Sequence, residues 1–66
     1  MDKEKSARLN SAKEILGEAT LFLLQQERPV SPDTLYTLIS AWERQAETNQ
    51  KSAYQDALKI LVRKMN

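Results

Sequence analysis

Three stretches of this chain carry apolar residues at the spacing of an α-helix, and two polar breaks separate them. In the first, Leu9, Ala12, Ile15, Leu16, Ala19, Phe22 and Leu23 fall within a stripe of roughly 140° on a helical wheel. That spacing predicts a long helix over about residues 3–26, whose polar first turns, about 1–8, are expected to fray. In the second stretch Leu35, Leu38, Ile39, Trp42 and Ala46 predict a helix over about 32–47. In the third, Tyr54, Ala57, Leu58, Leu61, Val62 and Met65 predict one over about 50–65. Running a single helix through the last two would rotate the stripe by roughly 110°. The segment Glu47-Thr48-Asn49-Gln50-Lys51-Ser52 between them holds no apolar residue. A turn near Thr48 or Asn49, with either residue as cap, accounts for both facts.

The first break, Pro29-Val30-Ser31-Pro32-Asp33, is a helix start written in full. Ser31 suits the N-cap because its hydroxyl can accept a bond from an early backbone N–H that lacks a helical partner. Pro32 falls at the first helical position, where its missing N–H costs nothing. Asp33 sets negative charge against the positive helix end. Val30 and Leu35 occupy the two places of a hydrophobic staple. The expected architecture is all-α, one domain over residues 1–66, with a long first helix and two shorter ones around one small core.

Within the first helix the run Leu21-Phe22-Leu23-Leu24 points all around the axis, since each residue turns it by about 100°. Phe22 and Leu23 lie on the core stripe. Leu21 points nearly opposite, and Leu24 lies off the edge, so these two are candidates for a partner surface. Gly17, inside the same helix, fits either simple tolerance or the close approach of a neighbouring helix. Trp42 is expected in the core. Tyr36 lies off the second stripe, as an ordinary surface tyrosine or an anchor for a partner. A chain of 66 residues buries only about 60% of the surface its unfolded form exposes, so self-association through the first helix is expected, giving a homodimer.

Composition narrows the chemistry. There is no histidine and no cysteine, so the usual bases, nucleophiles and zinc ligands are missing. A single glycine excludes a glycine-rich phosphate loop. No enzyme activity, no cofactor and no metal are expected. Glu14 and Glu18 read as a solvated face. The longest apolar run is far below the roughly 20 residues of a membrane span, and the charged N-terminus has no signal core, so a cytoplasmic protein is expected. The formal charge of +1 does not itself argue nucleic-acid binding. Lys51, Lys59, Arg63 and Lys64 in the third helix, with Lys3, Lys5, Arg8 and Lys13 in the first, are nonetheless candidate phosphate contacts that a dimer would double. Acidic neighbours are interleaved among them, and Arg63 and Lys64 also suit a helix C-terminus.

The stretch Ile15-Leu16-Gly17-Glu18-Ala19 through Leu23-Leu24, the loop to Val30-Ser31, then Thr34-Leu35, Leu38-Ile39 and Ala57-Leu58-Lys59-Ile60-Leu61-Val62-Arg63 resembles the enterobacterial YmgB/AriR family of small biofilm-development and acid-resistance regulators. The resemblance covers roughly residues 15–63 and rests on hydrophobic spacing and one Leu-Gly pair. It implies three helices, a homodimer and a regulatory role as a connector acting on the Rcs phosphorelay response regulator. It also implies a shape similar to the Hha family, with DNA binding as an alternative. The chain departs from that family in lacking its longer N-terminal lead-in. Lys5-Ser6-Ala7-Arg8-Leu9-Asn10 is similar to the plasmid Rop protein, an RNA-binding helical dimer, whose overall pattern fits three helices poorly. A small helical secretion chaperone is a further class of similar composition.

Overall fold

The computed structural model describes the backbone of residues 2–65 and the side chains of residues 10–65. Its elements are α1 (Asp2–Gln25), α2 (Pro32–Gln45), a single 3₁₀ turn (Thr48–Gln50) and α3 (Lys51–Met65). Among the described residues all regular structure is helical, with no strand. The side chains of Leu9, Lys3, Lys5 and Arg8 lie outside the described set.

Hydrogen-bond closure sets where α1 ends. The Arg28 N–H donates to the Leu23 carbonyl at 2.9 Å, and the Glu27 N–H donates to the Leu24 carbonyl at 3.1 Å. These two bonds form a Schellman motif, which satisfies carbonyls that the helix end leaves open. The motif needs one left-handed residue, and here that residue is Glu27, with φ 56°. A side chain with a Cβ is disfavoured there, where glycine is not. Glu27→Gly should therefore raise stability by roughly 0.5–1 kcal/mol, read as a higher urea midpoint with an unchanged slope.

At the start of α2, Ser31 is the N-cap: its Oγ accepts from the Thr34 N–H at 3.2 Å. Thr34 completes the box by accepting from the Ser31 N–H at 2.9 Å. The Thr34 hydroxyl lies 2.9 Å from the Pro29 carbonyl and 3.0 Å from that of Ser31, so one of them takes its proton. Thr34 stands at the position where the usual capping box has Glu or Gln. Ser31→Ala should cost about 1 kcal/mol in denaturant unfolding, because the Thr34 N–H then loses its acceptor. Val30, the outer half of the expected staple, remains 42% exposed.

Between α2 and α3 the chain breaks at Ala46 and Glu47, both extended, one residue earlier than Thr48 or Asn49. Neither of those residues is the cap. Glu47 is, and it makes no side-chain cap bond. Its carbonyl instead accepts from the N–H groups of Gln50 at 2.8 Å and Lys51 at 3.2 Å. A 3₁₀ turn tightens the entry so that backbone supplies what a side chain would otherwise supply.

α2 and α3 fold back on each other as a helical hairpin, and α1 packs against both, more fully against α3. The central cluster joins Ala12, Ile15 and Ala19 of α1 to Ile39 of α2 and Ala57 and Leu61 of α3. Leu16, Leu35, Leu38, Trp42, Tyr54 and Leu58 are half-buried around it. Three alanines at the contact let the helices approach closely, but they leave the core thin. Among the described residues, only Leu23 and Ile39 are large side chains with essentially no exposure. The sequence places Phe22 on the core stripe of α1. Phe22 is 37% exposed at the margin, edge-on to Trp42 with ring centroids 6.0 Å apart at 80°. Val62 and Met65, also on a predicted core stripe, are each 43% exposed in the last turn of α3.

Candidate interaction face

The core side of α1 is centred near Ala19. Gly17, Leu21 and Leu24 follow at intervals of four and three residues, which places them on one strip on the opposite side. Leu21 is 60% exposed and Leu24 58%, the two most exposed of the chain's large apolar side chains among the described residues. Gly17 is exposed on the same strip, and a Cβ built on it meets nothing within 4 Å. No helix of the same chain approaches it there. Packing within the monomer therefore does not require glycine at this position.

The strip is edged by Lys13 and Glu14, both exposed, and by Thr20, which is half-buried. The Thr20 hydroxyl donates to the Leu16 carbonyl at 2.7 Å, so its polarity is satisfied inside the helix. The result is an apolar ridge with a notch at Gly17, beside residues of both charges. Gly17→Ala should stabilise the isolated chain by about 1 kcal/mol, because glycine in an exposed helix interior costs that much relative to alanine. A thermal melt at low protein concentration reads it as a higher midpoint.

Tyr36 is on α2, half-buried and packed on the core, so only part of its ring is open to a partner. It borders a shallow hollow with Thr37, Ser40, Ala41 and Arg44. The basic residues of α3 do not form one face. At about 100° per residue, Lys51, Lys59, Arg63 and Lys64 spread over roughly 220° of the helix. Lys59 and Arg63 share a side, and Asp56 lies on that side with them. Lys51 is half-buried. Among the described residues, no group of three or more His, Cys, Asp or Glu side chains could hold a metal ion. Among the same residues, no helix is long and apolar enough to cross a membrane.

Sequence reasoning missed Thr34 as half of the cap and Glu27 as the left-handed residue. The Ser-x-x-Thr spacing was a readable signal for the first. Nothing in the Gln25-Gln26-Glu27-Arg28 string marks the second. No protein-family model matches this chain, and no curated protein or solved structure matches it.

Proposed function

We propose that this chain is a small cytoplasmic regulatory protein that forms a homodimer through α1 and acts by contact with a transcription regulator or two-component signalling protein. The reading places it with biofilm and acid-stress regulators, as the YmgB/AriR resemblance implies. The observation that carries it is the exposure of Leu21 and Leu24 on a single strip turned away from the core. Burying a fully exposed leucine stabilises by roughly 1.5–3 kcal/mol, so about 60% of each side chain, four times in a symmetric pair, contributes roughly 4–7 kcal/mol. Association costs at least about 4 kcal/mol in lost translation and rotation. The difference is at most about 3 kcal/mol, a dissociation constant of several millimolar, so pairing at lower concentrations requires further contact along α1 beyond the two leucines.

Light scattering across a dilution series tests this. The mass should approach twice the 7.6 kDa of the chain at high concentration and fall towards 7.6 kDa on dilution. A particle of 7.6 kDa at every concentration would remove the reading. The alternative, a nucleic-acid-binding dimer, has weaker support because the α3 cations are spread around the helix. It requires a gel shift that weakens when Lys59 and Arg63 are both replaced by alanine.

A further inference from the structure

The junction of α2 and α3 carries a shallow hollow of about 350 Å³, lined by Trp42, Gln45, Ala46, Glu47, Gln50 and Tyr54. No lysine or arginine lines it. The geometry points to this hollow as the seat of a guanidinium group, an arginine side chain presented by a partner protein. The contact uses α2 and α3, so it stands or falls separately from pairing through α1.

Three kinds of group in the hollow agree on a cation. Trp42 and Tyr54 are half-buried, packed on the core yet partly open, and aromatic faces attract cations, tryptophan most strongly. Phe22 meets Trp42 edge-on, with ring centroids 6.0 Å apart, which helps hold the indole in place. Glu47 is exposed and its carboxylate makes no cap bond, so it is available to a ligand. The negative end of α2 also lies here, and among the described residues no backbone N–H bonds to the carbonyls of Gln45 and Ala46. Arg44, the cation of that last turn, borders a different hollow with Tyr36 and Ser40 and leaves this one unneutralised. A guanidinium suits the set better than an ammonium. It lies flat on a ring while its fixed fork of five N–H donors reaches a carboxylate and carbonyls together. Size argues for a partner's side chain. The hollow is at the low end of ligand-site volumes and is too open to enclose a free small molecule, whereas a side chain held out by a larger surface brings its own cover.

Trp42 is the chain's only tryptophan, so its fluorescence reports on the hollow directly. The probes are blocked pentapeptides of alanine with arginine, lysine or citrulline at the centre, titrated at constant ionic strength. The arginine peptide should give a saturable change with a millimolar dissociation constant. The citrulline peptide, which keeps the shape without the charge, should bind at least about tenfold more weakly, and the lysine peptide about threefold. Glu47→Gln, at an exposed position, should weaken the arginine peptide about fivefold with circular dichroism unchanged. Free arginine should bind about threefold more weakly than the peptide, and equal binding would make the ligand a small molecule instead of a partner's side chain. Lysine binding as well as arginine would remove the guanidinium assignment. A response without saturation, equal binding of citrulline, or a Glu47→Gln chain that binds like the native one would each overturn the site.

Discussion

Ile39→Ala should cost this chain about 2–5 kcal/mol, a large share of everything that holds it folded. A domain of 66 residues has a total stability of roughly 3–10 kcal/mol. Ile39 is completely buried and is the α2 member of a cluster whose other residues come from α1 and α3. Four of the other five cluster residues are isoleucine or alanine on helices that already touch closely, so the surroundings cannot collapse into the space left by the lost methyl groups. The cost is then near the upper part of the range for large-to-alanine changes, where a cavity adds to the lost burial. Urea unfolding followed by circular dichroism should show a midpoint lowered by half or more, or a chain already partly unfolded in buffer. Phe22→Ala is the contrasting change. Its ring is larger, but it lies at the margin and is 37% exposed, so its loss should cost clearly less than that of Ile39. If the two costs come out equal, the core does not centre on Ile39.

How much of this was legible in the sequence depended on whether a signal was local. The start of α2 was readable because every part of it lies within five residues: Ser31, Pro32, Asp33 and the spacing to Leu35 all concern one helix end. The three helices were readable because their stripes have a period that neighbours cannot alter. The depth of the core was not, since burial depends on how near other helices come. Ala12, Ala19 and Ala57 set that distance, and their consequence for Phe22, Val62 and Met65 appears only when the helices are assembled. The α2–α3 turn was legible as a break but not as a mechanism, because a backbone carbonyl carries no residue-type signal. The outward pointing of Leu21 and Leu24 followed from angle alone. What meets them does not follow from angle, and the surface that would bind a regulator is less defined still.

Leu21→Asp and Leu23→Asp, two residues apart in one apolar run, should fail in opposite ways. Leu23 is 1% exposed, so aspartate there takes a carboxylate out of water into an apolar contact. That penalty approaches or exceeds the whole stability of a domain this small, and the variant should lack the helical signal of the native chain. Leu21 is 60% exposed, so aspartate there remains in water in the monomer. The monomer loses only the lower helix propensity of aspartate and an unfavourable charge near the negative end of α1, together about 1 kcal/mol. It should stay folded, with nearly native circular dichroism. Its dimer should not survive. Pairing through the α1 strip covers Leu21, so aspartate there brings a carboxylate into a contact from which water is excluded. Dissociation should be at least about 100-fold easier, or about 2.7 kcal/mol, enough to leave monomer alone at concentrations where the native chain is paired. Light scattering on Leu21→Asp, matched with its melting curve, separates the two effects. A folded Leu21→Asp chain that still pairs like the native protein would mean the α1 strip is not the contact, and the exposed leucines would need another occupant.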